Sequence, residues 1–224
     1  MPRPPRVCPD GVPQHIVNRG NLRAPIFREP ADYLGFLAAL TDAVDRTTVR
    51  LLAFCLMPNH WHLVLWPVQG CEVPAYMQVL MNAHIRDLQR RHGTAGTGHI
   101  YQGRYKNSAI LTDRHFINVC RYVEANPMCA GLVARAEEWD WSSLVRSGPA
   151  EDIDILSPWP LARPAQWLEH VNRPQGNRAV REIEEQIKRQ GQSARALTTW
   201  RNRHPEVAGT FPGKVPATFW RIPD

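Results

Sequence analysis

VRLLAFCLMPNHWHLVLWPV, running from Val49 to Val68, is the stretch on which the fold turns. Two apolar runs, Val49 to Met57 and Trp61 to Val68, are rich in β-branched and aromatic residues and meet at Pro58-Asn59, which predicts a β-hairpin. Side chains alternate across a strand, so His60 and His62, separated by Trp61, fall on one face of the sheet. Two imidazoles so placed are close enough to share a metal ion. They have an ordinary reading as well, as polar residues of a half-buried strand that cap neighbours or stack on them.

The second informative stretch runs from Asp113 to Pro127. Phe116, Val119, Cys120 and Val123 recur at helical spacing, Thr112 or Asp113 offers an N-cap, and Pro127 is expected to stop the helix. Tyr122 and Asn126 then lie four residues apart on one helical face. A phenol and an amide projecting together suit a metal-assisted nucleophile, the amide as third ligand beside the two histidines. An interfacial tyrosine and a helix-capping asparagine are the plainer alternative.

Outward from these stretches, Gln14 to Asn18 reads as a first strand. Pro30-Ala31-Asp32 opens a helix with an apolar stripe of Tyr33, Leu34, Leu37, Leu40 and Val44. A second helix spans about Val73 to Arg91, with Met77, Leu80, Met81, His84, Ile85 and Leu88 inward and with His84 and His92 as helix-face residues rather than ligands. Gly93 to Gly98 is a loop and Asn107 to Leu111 a short strand. Strand, helix, hairpin, helix, strand, helix is an α+β layer with an antiparallel sheet. Residues 1–13 form a Pro- and Arg-rich lead-in and 14–145 the main domain. Residues 146–224 form a loop-rich, partly helical C-terminal extension with a charged helix over Asn177 to Gln190 and a basic run from Ser193 to His204. No internal repeat appears.

Three segments together, Asn59-His60-Trp61-His62-Leu63, GHIYQGRYK at 98–106 and RYVEANPMCAGLV at 121–133, resemble the single-tyrosine HUH transposases, and specifically the REP-associated tyrosine transposases. The likeness begins at HIVNRG, 15–20, with Ile26-Phe27 after it, and ends at WDWSS, 139–143. Such segments in register make a specific signal where one would be weak. The resemblance implies a ferredoxin-like antiparallel sheet flanked by helices, the metal pair on the sheet and the tyrosine helix packed over it. It implies His60, His62 and Asn126 as ligands of a divalent cation, Mg²⁺ or Mn²⁺, and Tyr122 as the nucleophile. The implied activity is cleavage and rejoining of single-stranded DNA near hairpins through a 5′-phosphotyrosine intermediate, in a monomer or a homodimer. It also implies that the C-terminal extension helps recognise the hairpin. Trp61 stands where the family takes any large hydrophobe, and Ala125 where a larger apolar residue is common; neither touches a reacting atom. Glu124 points away from Tyr122 by helical geometry and is not read as a base. A nitrogen-rich donor set suits Mn²⁺ or Zn²⁺ on intrinsic affinity, so the residues define a divalent site more firmly than its ion. A catalytically silent hairpin-DNA-binding or regulatory protein is the alternative, and a hydrolase of small phosphate compounds is disfavoured by the tyrosine and the basic tail.

Composition agrees with a nucleic-acid partner. The net charge is +6 and the pI near 9.4. Lys106, Lys188 and Lys214 are the only lysines among 27 basic residues, and arginine's planar fork suits phosphate oxygens. Arg19, Arg23, Arg104, Lys106 and Arg121 flank the motif segments and are the expected phosphate contacts, against a plain solvated face. Tyr101 and Tyr105, lying among them, are expected to stack on unpaired bases, against core packing. Cys8, Cys55, Cys71, Cys120 and Cys129 are odd in number and form no pair of Cys-x-x-Cys motifs, which disfavours structural zinc and suits a reduced, cytoplasmic protein. No signal peptide is read at the N-terminus, and no apolar run approaches the roughly twenty residues of a membrane helix.

Overall fold

The computed structural model describes residues 8–96, 98–144 and 155–189. Its elements are β1 (Gln14–Arg19), α1 (Pro30–Asp45), β2 (Arg50–Met57), β3 (His60–Trp66), α2 (Glu72–His92), β4 (Lys106–Ala109), α3 (Asp113–Cys129), α4 (Trp167–Asn172) and α5 (Asn177–Arg189). All three strand pairings are antiparallel, in the order β2-β3-β1-β4. With its βαββαβ connectivity this is the ferredoxin-like arrangement, and the α+β expectation holds.

Alternation in the central strands divides the interior into two cores. Trp61, Leu63 and Leu65 of β3 join Ile16, Phe54 and Leu56 beneath α1 and α2. Val64 and Trp66 face the other way with Leu52, Cys55 and Met57, packed against Phe116, Val119, Cys120 and Val123 of α3. A shift of register between Leu51 and Ala53 puts Leu52 and Ala53 together in this second core, as a β-bulge does. The first core is pinned by a polar thread: Trp61 Nε1–H donates to the Tyr101 hydroxyl at 3.0 Å, which meets His84 Nδ1 at 2.7 Å. Within α1, Leu34 turns outward at 45% exposure, and Phe36, absent from the expected stripe, is fully buried.

The helix α3 starts as its sequence suggests, the Thr112 hydroxyl accepting the His115 N–H at 3.1 Å. It does not stop at Pro127. A proline costs one hydrogen bond inside a helix, and here the loss falls so near the end that the turn closes regardless. Ala130 N–H donates to Asn126 O and Leu132 N–H to Pro127 O. Gly131, at φ +70°, takes the left-handed position that ends the turn. Asn126 therefore sits inside the helix with its side chain free to reach across the sheet, rather than capping the end.

The chain beyond α3 wraps back onto the second core. Ser143 N–H donates to Phe54 O and Leu56 N–H to Trp141 O, covering the β2 edge. Trp167 and Val171 of α4 and Ile183 and Ile187 of α5 are buried there. Glu124, wholly buried on α3, accepts from Trp167 Nε1–H at 2.7 Å and from the Ser143 hydroxyl at 2.8 Å. Two donors satisfy a carboxylate that burial would otherwise make costly. The basic run Ser193–His204 lies outside the described residues.

Removing one donor should show the value of this clip. Trp167→Phe keeps the ring and is expected to cost about 1–3 kcal/mol of unfolding free energy by urea titration, the usual penalty of leaving a buried acceptor short.

Candidate active site

Strand alternation delivers His60 and His62 to the α3 face as anticipated, their ring centroids 5.1 Å apart and nearly perpendicular. His62 lies opposite Cys55 on one side and Val17 on the other; His60 lies opposite Met57 and Arg19. Across the space, the Tyr122 ring stands edge-on to His62 with centroids 5.5 Å apart. One turn further along α3, Asn126 Nδ2 is 3.4 Å from His62 Nε2, and the same side chain is close enough to His60 to favour its protonated form. The four residues expected to act together are thus brought together.

The hydrogen bonds around the histidines decide which nitrogens face the gap. Asn59 Nδ2 donates to Arg23 O at 3.2 Å, so its Oδ1 is the atom 2.7 Å from His60 Nδ1. An amide oxygen only accepts, hence His60 Nδ1 carries the proton and Nε2 keeps its lone pair. His62 Nδ1 meets His15 Nε2 at 2.9 Å. His15 is a fully buried residue of β1 that stacks on His62 at 5.1 Å and approaches Tyr122 at 6.1 Å. Its sequence signal was weak. It stands in the HIVNRG run, two residues before the strand position opposite His62, and only the sheet register reveals the diagonal contact.

Burial dominates the electrostatics. Desolvation, helped by the Arg19 charge, pushes His60 down to about 4. Burial lowers His62 well below its ordinary value, with His15, His60 and Arg19 adding to the effect, and lowers His15 to about 3. All three imidazoles are neutral at physiological pH, the form that binds metal. The Tyr122 phenol is raised above its usual value by burial and by Glu184, while the Asn126 side chain and the Arg19 charge pull the other way. The phenol thus rests protonated.

Two imidazole nitrogens and one amide converging from a strand and a helix fit a divalent cation. In their present arrangement the Asn126 amide N–H points at the His62 nitrogen, where a cation would otherwise draw the lone pair. A separate trio, Glu29, Asp32 and His92, holds its ligand atoms within 4.8 Å of one another. There Asp32 already accepts from Arg28 N–H at 2.9 Å and meets His92 Nε2 at 2.8 Å, so these atoms serve to tie α1 to the end of α2.

Of the expected DNA contacts, Arg19, Arg23, Arg104 and Lys106 are exposed, Arg19 directly beside His60. Arg121 is instead half-buried and spends its Nη2 on Arg173 O at 2.5 Å and Pro174 O at 3.3 Å, so it holds the end of α4. Tyr101 and Tyr105 are buried, at 6% and 8% exposure. Their rings are closed off by core packing and offer no face to a base, contrary to the stacking expectation.

A family model described as "Transposase IS200 like" matches residues 10–126, the segment that holds every one of these site residues. The chain belongs to the IS200-like transposase family. A Haemophilus influenzae protein named as a REP-associated tyrosine transposase is 23% identical over 129 residues, 54% of this chain and 73% of that protein. The fold matches a solved structure of a REP-associated tyrosine transposase bound to a REP hairpin, with a TM-score of 0.54, 17% identity, and coverage of 64% of this chain and 82% of that one. The family places the chain among DNA-cleaving transposases and implies a divalent metal. No helix among the described residues is long and apolar enough to cross a membrane.

Acid should undo this buried set. His15, His60, His62, His84 and His115 all sit below the ordinary histidine value of 6.5. Between pH 6.5 and about 3 the unfolded chain takes up protons that the folded one refuses. Stability is therefore full above 6.5 and declines as pH falls through that window, and the urea midpoint followed by far-UV circular dichroism is expected to drop accordingly.

Proposed function

We propose that this chain cleaves and rejoins single-stranded DNA beside hairpins, with Tyr122 as nucleophile and His60, His62 and Asn126 holding a divalent cation, Mg²⁺ or Mn²⁺. The observation that carries the reading is the meeting of Tyr122 and Asn126, one helical turn apart, with the His60–His62 pair on the sheet. The hairpin preference draws on the solved relative bound to a REP hairpin.

The Tyr122 oxygen attacks the scissile phosphorus, a tyrosine–phosphate bond forms to the 5′ end of the downstream fragment, and the bond to the 3′ oxygen of the upstream fragment breaks. The proton lost by the phenol is matched by the one gained by the departing 3′ hydroxyl. Attack by that hydroxyl, or by one from another strand, reverses the step and restores the phenol without a nucleotide cofactor. A cation held by the three ligands supplies charge stabilisation at the phosphate. Asn126 contributes a second way, because its side chain favours the ionised phenol. Arg19 favours the phenolate as well, and as an exposed cation beside His60 it is suited to the phosphate backbone. Glu124, occupied by Trp167 and Ser143, takes no part in the proton transfer.

Labelled hairpin oligonucleotides incubated with Mn²⁺ test the reading. Wild-type protein is expected to acquire a 3′-end label covalently and to release a 5′-end label on a free fragment, and Tyr122→Phe to lose all cleavage while binding the hairpin within about threefold of wild type. Nicking by Tyr122→Phe would show that the nucleophile is elsewhere. Hairpin binding with no cleavage by wild type would favour a silent binding protein on the same fold. Arg19→Ala is expected to weaken DNA binding and to reduce the slope of log affinity against log salt by about one, as loss of a single phosphate contact does.

A further inference from the structure

We infer that His15 is a positioning residue for the metal site: it accepts the His62 Nδ1 proton and so commits His62 Nε2 to the cation. The inference rests on the metal-site reading above and deepens it.

A neutral imidazole carries one N–H, so the 2.9 Å contact between His15 Nε2 and His62 Nδ1 has two forms. If His15 donates, His62 must carry its own proton on Nε2, the atom facing Asn126, and that atom cannot ligate a cation. If His62 donates, Nε2 presents a lone pair to the same space as His60 Nε2, which its own partner Asn59 has already freed. The two ligand histidines then share one logic, each tied by Nδ1 to an acceptor so that Nε2 faces inward. Metal-bound histidines are commonly fixed this way, by an acceptor on the remote nitrogen.

Direction has a consequence at His15 itself. Accepting on Nε2 forces its proton to Nδ1, which is buried and has no hydrogen-bond partner among the described residues. His115 lies close enough to interact with His15 electrostatically, and its buried Nε2 likewise lacks a partner. An aliphatic residue would fill the His15 position with no unpaired atom of its own, and would leave only His62 Nδ1 without its partner. A histidine kept there despite an unpaired atom makes sense only if its other nitrogen is needed, and the atom it meets belongs to a ligand.

Mn²⁺ affinity measured by calorimetry and by electron paramagnetic resonance, without DNA, reads the role directly. His15→Leu removes the acceptor and is expected to weaken Mn²⁺ binding about 10–100-fold. His15→Gln restores an acceptor oxygen and is expected to stay within about threefold of wild type. Circular dichroism melting of each variant registers any loss of fold. Long-range ¹H–¹⁵N spectra of the metal-free wild type supply a measurement that needs no variant: His62 should be protonated on Nδ1. Wild-type affinity in His15→Leu, equal loss in both folded variants, or an Nε2-protonated His62 would each overturn the inference while leaving the metal site standing. Absence of Mn²⁺ binding by wild type would overturn the metal site and this role together.

Discussion

Trp61 is the fixed point of the site. Its indole is buried on the face opposite the two histidines that flank it, and its N–H is committed to Tyr101. A strand cannot roll about its axis when one side chain is locked into a core, so His60 and His62 have a defined position on the other face. The hydrophobe between the histidines is therefore part of the site's geometry, although it touches nothing reactive. The same alternation sends Ile16 of β1 into that core and His15 to the reactive face.

Neutrality is the second constraint. Three imidazoles and a phenol packed together would repel or bind protons in water, yet burial keeps the imidazoles uncharged and the phenol protonated. The pocket is consequently a set of lone pairs with little charge of its own. Arg19, a cation at its rim, is exposed and lies on the strand next to His60. Lone pairs of this kind suit a positive ion and the arginine suits an anion, two attractions that would not compete for the same atoms.

What the sequence made legible was whatever depends on one period. The two-residue repeat of β3 aligned the histidines, and the four-residue step in α3 aligned Tyr122 with Asn126. What stayed hidden depends on contacts between distant segments. Tyr101 looked like a base platform because it stands among basic residues, but Trp61 and His84, from two other elements, draw it into the core. Arg121 looked free until α4 folded back against it. His15 was visible as a letter in a motif and not as a neighbour of His62, because a diagonal contact requires the register of two strands. Pro127 was misjudged for a local reason: the N–H it lacks is a single bond, and the turn after it still closes through Ala130 and Leu132.

Glu124 lies two residues after Tyr122, about 200° around the helix at 3.6 residues per turn. Its carboxylate, bonded to Trp167 and Ser143, therefore works as a keel for α3. Rolling the helix to swing the phenol elsewhere would strand a submerged acid without its donors. Under the proposed function α3 is therefore a fixed arm, and it is the DNA strand that would have to be brought to it.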